Sequence, residues 1–188
     1  MTDSETGDRE LVARISSGEP DALRDLYQIH GARLYAHALR IAGDPAAAED
    51  ILQESLVAVW KAAGRFRGES RVIVWLLGIV HHKALDSIGG RSRYSLEEND
   101  GSGLVSPDPR PEEALLRKER RDLIKSGLGR LSTKHRLVLD LVFFQGLSLA
   151  EAAGVCGCPV GTIKSRLNQA KANLRAHLDI EKAGEDSK

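Results

Sequence analysis

Between residues 147 and 175 the chain reads LSLAEAAGVCGCPVGTIKSRLNQAKANLR. Thr162, Lys164, Ser165, Arg166, Asn168 and Gln169 crowd into this stretch. Arg, Lys, Asn and Gln carry the donors and acceptors that match base edges in a DNA major groove. Thr and Ser hydroxyls, with the amides of a helix N-terminus, hold phosphates. Val160, Ile163, Leu167, Ala170 and Leu174 recur in steps of three and four, which predicts a helix with one apolar stripe opposite those polar residues. Ahead of it, Ser148 and Glu151 have the spacing of a capping box for a shorter helix, from Leu149 to Val155. Gly157-Cys158-Pro159 supplies the turn between them. Two helices joined by a tight turn, the second polar and basic near its start, describe a helix-turn-helix. The competing reading is a hairpin whose basic face is merely solvated. The capping box, the turn and the absence of any acid from Ala152 to Leu178 favour DNA.

Other chemistry is harder to find. There is no P-loop, no HExxH, no G-x-S-x-G and no carboxylate pair in a recognisable setting, so no catalytic residue and no cofactor are expected. Cys156 and Cys158 form a C-x-C with no histidine at ligand spacing, which is not a zinc site. His81 and His82 point about 100° apart on a helix and would not share a metal. Two cysteines cannot build a disulfide framework, and a reducing cytoplasm is the simplest setting. The longest apolar run, Val72 to Leu77, falls far short of the ~20 residues of a membrane span, and the N-terminus has no apolar leader. No membrane insertion is expected.

The elements that must position these residues follow from periodicity and charge. The 188 residues are 41% hydrophobic and 29% charged, with zero formal net charge unevenly spread. Arg117 to Arg175 holds twelve basic residues against four acidic ones, and Lys61 to Lys83 five against one. Asp44 to Glu54 holds four acids and no base. This pattern suits a polyanion on two surfaces and a basic protein on the third. Gly89 to Pro111 has four Gly, three Pro and four Ser with no helical period, and reads as a flexible linker. The expected fold is all-α, with two small helical domains at 10–88 and 112–178 joined by the linker at 89–111 and free to move relative to each other.

In the first domain Leu23, Leu26, Tyr27, Leu34, Ala38 and Leu39 mark one buried helix face. Gly43 stops that helix, and Asp44-Pro45 opens another whose apolar face is Ile51, Leu52, Leu56, Val59 and Trp60. A third runs near Val72 to Ile88, buried on most sides, with Trp75 in the core. In the second domain a charged helix after Pro111 reaches about Leu128. The next is capped by Ser132 or Thr133, with Leu137, Val138, Leu141 and Val142 inward and Gly146 at its end.

GCPVGTIKSRLNQAKANLR resembles the promoter-binding helix-turn-helix of bacterial extracytoplasmic-function (ECF) sigma factors of the sigma-70 family. DLYQIHGARLYAHALRIAGDPAAAEDILQESLVAVW and FRGESRVIVWLLGIVHHKALDSI resemble that family's core-binding and −10-recognition region. The resemblance implies a transcription initiation factor that joins core RNA polymerase and reads −10 and −35 promoter elements. It places Thr162, Lys164, Ser165, Arg166, Asn168 and Gln169 on the −35 DNA. Arg65, Phe66, Arg67, Arg71 and His82 fall to the −10 strand, with Phe66 stacking on an unstacked base. Asp44, Glu49, Asp50, Gln53 and Glu54 would dock on the clamp helices of the polymerase's largest subunit, and the second domain on the flap of the second-largest. An anti-sigma factor is the further partner the resemblance implies. His81-His82 stands where an Arg-Asn pair is common, Val74 and Gly78 replace residues that are often polar, and Gly89-Gly90 interrupts the usual helix end. The alternative is a stand-alone helix-turn-helix regulator, which would need neither the acidic stripe nor the FRGES loop.

Overall fold

The computed structural model describes residues 3–91 and 126–185. Every regular element among them is helical. Helices α1 (Asp3–Ser16), α2 (Pro20–Ala42), α3 (Pro45–Ala62) and α4 (Val72–Arg91) form the N-terminal unit, with one 3-10 turn at Ala63–Arg65. Helices α5 (Thr133–Leu139), α6 (Leu149–Cys156) and α7 (Val160–Glu185) form the C-terminal unit, with a π-helical stretch at Asp140–Phe144 after α5. Residues 92–111, expected as linker, lie outside the described residues. So does the charged helix expected after Pro111, apart from a helical turn at 126–129.

Local chemistry sets the boundaries of α2 and α3. Gly43 ends α2 at φ +71°, a conformation that suits a residue without Cβ. Asp44 then caps α3, its Oδ2 accepting from the Ala47 amide at 2.8 Å, with Pro45 in the first turn. Helix α2 packs against α1, α3 and α4. Leu26, Leu34 and Ala38 meet Ile51, Leu52 and Val59 of α3 and Val72, Leu76, Leu77 and Val80 of α4.

Two aromatics expected in this core are outside it: Tyr27 is 44% exposed and Trp60 37%. The reason for Tyr27 lies in the histidines. The inward stripe of α2 runs Leu26, His30, Leu34, His37 and Ile41, so residues counted as polar take the places that an apolar count gave to Tyr27. On α3 the buried Ser55 does the same, its hydroxyl donating to the Ile51 carbonyl at 2.6 Å. His30 Nε2 lies 3.0 Å from Asp8 Oδ2, both nearly enclosed, so α1 is tied to α2 by residues ahead of position 10.

Other boundaries also differ from expectation. Helix α4 continues through Gly89-Gly90 to Arg91, although each interior glycine costs about 1 kcal/mol relative to alanine. The helix that begins at Thr133 widens at Asp140, where the Gln145 amide donates to the Asp140 carbonyl at 2.9 Å, five residues back. Gly146, at φ +61°, ends it as expected. The two units meet in this structure, where α2 packs on α5 and α4 on α6. Charged side chains buried at that contact hold them together.

His81, on α4, is 3% exposed and its ring stacks on His37 with centroids 5.7 Å apart. Burial, and then the neighbouring His37, push its pKa down to about 4. Unfolding lets His81 take a proton near pH 6.5, so its contribution is intact above that pH and is lost as pH falls toward 4. We expect a loss of about 2 kcal/mol in unfolding free energy between pH 7 and pH 5 from this group. Urea titrations at the two pH values should show a smaller loss in His81→Leu. Equal losses would clear His81 of the role.

Candidate nucleic-acid interface

The helix-turn-helix forms as its local signals direct. The Ser148 hydroxyl accepts from the Glu151 amide at 3.2 Å, and Glu151 Oε2 accepts from the Ser148 amide at 2.8 Å. Helix α6 ends at Gly157 (φ +60°), with the Cys158 amide donating to the Ala153 carbonyl at 3.1 Å, a Schellman closure. Pro159 starts α7 by offering its carbonyl to the amides of Thr162 and Ile163. Ile163, Leu167 and Ala170 are buried against the rest of the unit. Val160, expected in that stripe, is 46% exposed because it stands in the first turn, beyond the reach of the packed helices.

Burial of that stripe leaves Lys164, Ser165, Asn168 and Gln169 exposed along α7, with Thr162 and Arg166 half-buried beside them. Gln169 Oε1 takes a hydrogen bond from His135 Nε2 at 3.2 Å. Arg166 reaches the Cys158 sulfur at 4.0 Å. Burial pushes the Cys156 thiol up to about 11, reinforced by Cys158, so it stays protonated. Among the described residues no three His, Cys, Asp or Glu side chains gather as metal ligands do.

The FRGES loop is held by two residues of α1 that sequence reasoning missed. Arg9 Nη2 donates to the Gly68 carbonyl at 3.0 Å, and Glu5 Oε1 accepts from the Val72 amide at 3.1 Å, capping α4. Their only signal in the sequence is an i,i+4 Glu–Arg pair, here 3.3 Å apart. Arg65 and Arg67 are exposed, while Phe66 is half-buried against Trp75, ring centroids 4.9 Å apart. His82 is exposed, its Nδ1–H donating to the Gly78 carbonyl at 2.6 Å. His81 is enclosed and unavailable to a ligand.

Arg71 points elsewhere. Its Nε donates to Glu151 Oε1 of the other unit at 2.7 Å. This bond raises the basicity of Arg71 and, with the amide and hydroxyl of Ser148, holds the Glu151 carboxyl below its usual range. On α3, Glu49, Asp50, Gln53 and Glu54 are exposed, with Lys83 Nζ 3.5 Å from Glu54, while Asp44 is engaged as the cap. Exposed Val57 and Trp60 extend the stripe begun by Gln53, giving an acidic face an apolar end.

Two small helical units, one bearing an acidic face and a basic loop and the other a helix-turn-helix, match known proteins. Residues 26–94 match the model for sigma-70 region 2, and residues 121–174 that for sigma-70 region 4. The ECF RNA polymerase sigma factor SigL of Mycobacterium tuberculosis strain H37Rv is 34% identical over 172 residues, 89% of this chain and 96% of SigL. The chain belongs to the ECF sigma factors. The sigma factor CnrH of Cupriavidus metallidurans is 33% identical over 186 residues, 94% of this chain and 97% of CnrH. A solved CnrH, in complex with the cytosolic domain of CnrY, superposes with a TM-score of 0.66 at 30% identity, covering 93% of this chain and 98% of that one. The sigma factor RpoE of Bartonella quintana, solved with the anti-sigma factor NepR, gives 0.63 at 27% identity, covering 84% and 96%. Like other sigma factors, this one joins core RNA polymerase and directs it to promoters.

The capping box is the most local support of the helix-turn-helix. We expect Ser148→Ala to cost about 1 kcal/mol of stability, seen as a lower urea midpoint with an unchanged slope. No change would mean that the Ser148 hydroxyl adds nothing to the cap beyond the bond from the Ser148 amide to Glu151.

Proposed function

We propose that α7 reads the −35 element, through Thr162, Lys164, Ser165, Arg166, Asn168 and Gln169. The observation that carries this is the exposed polar row on a helix whose opposite stripe is buried behind a capped turn. The FRGES loop and the start of α4 then face the −10 strand, with Arg65, Phe66, Arg67, Arg71 and His82 as contacts. Phe66 already leans on Trp75, so a flipped base would join an existing aromatic pair. The acidic face of α3, from Glu49 to Glu54, suits the basic clamp helices of the polymerase's largest subunit, and Val57 and Trp60 add apolar area to it. Exposed Phe143 and Phe144 give the C-terminal unit an aromatic surface for the flap of the second-largest subunit. We take the protein to work in the cytoplasm as an initiation factor rather than an enzyme. An anti-sigma factor controls it in this reading, which the partners in the CnrH and RpoE structures support.

Two measurements separate this reading from a stand-alone regulator. Core RNA polymerase should retain the wild type, and Asp50→Arg with Glu54→Arg should abolish retention. Equal retention of both would move the clamp contact off α3. Lys164→Ala with Arg166→Ala should weaken promoter binding and lower the salt slope of the binding constant by about two. An unchanged slope would remove these two side chains from the phosphates.

A further inference from the structure

The contact between the two units is built around one carboxylate. Asp140, at the start of the π-helical stretch, is 1% exposed. Its Oδ2 accepts from His37 Nδ1 at 2.6 Å, and its Oδ1 is ion-paired with Arg40 Nη1 at 2.8 Å, both on α2. Gln145 donates to the same carboxylate from within its own unit, at 3.4 Å and 3.5 Å. Arg33, one turn ahead of His37, donates Nε to Gln145 Oε1 at 2.7 Å and Nη2 to the Gln145 carbonyl. The Arg40 guanidinium also lies over the Phe144 ring, 4.7 Å from its centroid. Three α2 side chains at i, i+4 and i+7 thus grip one turn of the other unit.

A buried carboxylate in a single unit would be a liability, because desolvation costs several kcal/mol unless opposite charge and donors compensate. Here the compensation comes from the other unit, more than 100 residues away in sequence. When the units part, Asp140, His37 and Arg40 regain water, which offsets much of what the contact supplied. Such a contact closes specifically and opens readily.

Closure engages one residue of the −10 side and part of the α4 face, while Arg65, Arg67 and His82 stay exposed. Arg71 is bonded to Glu151, and α6 lies across the face of α4, with Gly154 and Val155 over the cleft formed by Val74, Trp75 and His82. Lys164, Ser165, Asn168 and Gln169 stay open. We propose that the free chain is self-inhibited, with Asp140 latching the helix-turn-helix unit onto α2 and α4 so that Arg71 and the face of α4 are withheld from DNA. Core polymerase or promoter DNA would then bind the opened form, and the latch sets how much of the free chain is competent. The inhibitory half rests on the −10 assignment above; the latch does not.

The test uses the full chain, as wild type, Arg33→Ala and Asp140→Asn. Small-angle scattering reads opening, and fluorescence anisotropy reads binding to a single-stranded DNA oligonucleotide of random sequence. Arg33 is half-buried at the rim, so its loss spares the core. It also removes a positive charge, so tighter DNA binding by Arg33→Ala cannot come from electrostatics. We expect both variants to have a larger radius of gyration and to bind about tenfold more tightly, with the gain erased by adding Arg71→Ala. Should Asp140→Asn fail to fold, Arg33→Ala decides alone. Unchanged scattering and binding would overturn the latch. Expansion without tighter binding would overturn the inhibition and with it the role of Arg71 at the −10 strand, while the latch would stand.

Discussion

Asp140 and the α2 residues that face it are the interaction on which this arrangement of the molecule depends. A carboxylate out of water needs partners within hydrogen-bond reach, and His37 and Arg40 meet that need only when the two units are packed together. The demand propagates outward. It fixes which side of α2 faces the second unit and sets α6 beside α4, where Glu151 meets Arg71. It also encloses the His37–His81 stack, whose rings present Nε2 and Nδ1 with no hydrogen-bond partner.

The remainder of the fold is governed by nearer neighbours. Gly43-Asp44-Pro45, the Ser148–Glu151 box and Gly157 end or begin helices through bonds within a few residues. That is why these boundaries were legible in the sequence. The exposed row of α7 was legible for the same reason, since a regular helix converts spacing directly into a face. The family resemblance then supplied the order of the two units and their partners, which spacing alone does not carry.

What sequence reading missed was long-range or polar. An apolar count assigned Tyr27 and Trp60 to the core, because nothing local reveals that His30, His37 and Ser55 hold the inward places. The bond from Arg71 to Glu151 spans 80 positions, and no local pattern signals it. Arg9 and Glu5, which shape the FRGES loop, lie ahead of the first domain as the sequence bounded it, at residue 10. The widening of the helix at Asp140 had no signal in the sequence, because DLVFF fits an ordinary helix equally well. Only the other unit gives the extra turn geometry a purpose.

Glu151 belongs to two arrangements at once. It completes the cap of α6, and it also binds Arg71 across the unit boundary. Its two oxygens divide the tasks, Oε2 serving the Ser148 amide and Oε1 the guanidinium. In the proposed opening, the bond from the Ser148 amide to Glu151 need not change, so the helix-turn-helix keeps its shape. A carboxylate shared in this way lets the chain change its quaternary-like contact without renegotiating any secondary structure, so opening needs only side chains to let go.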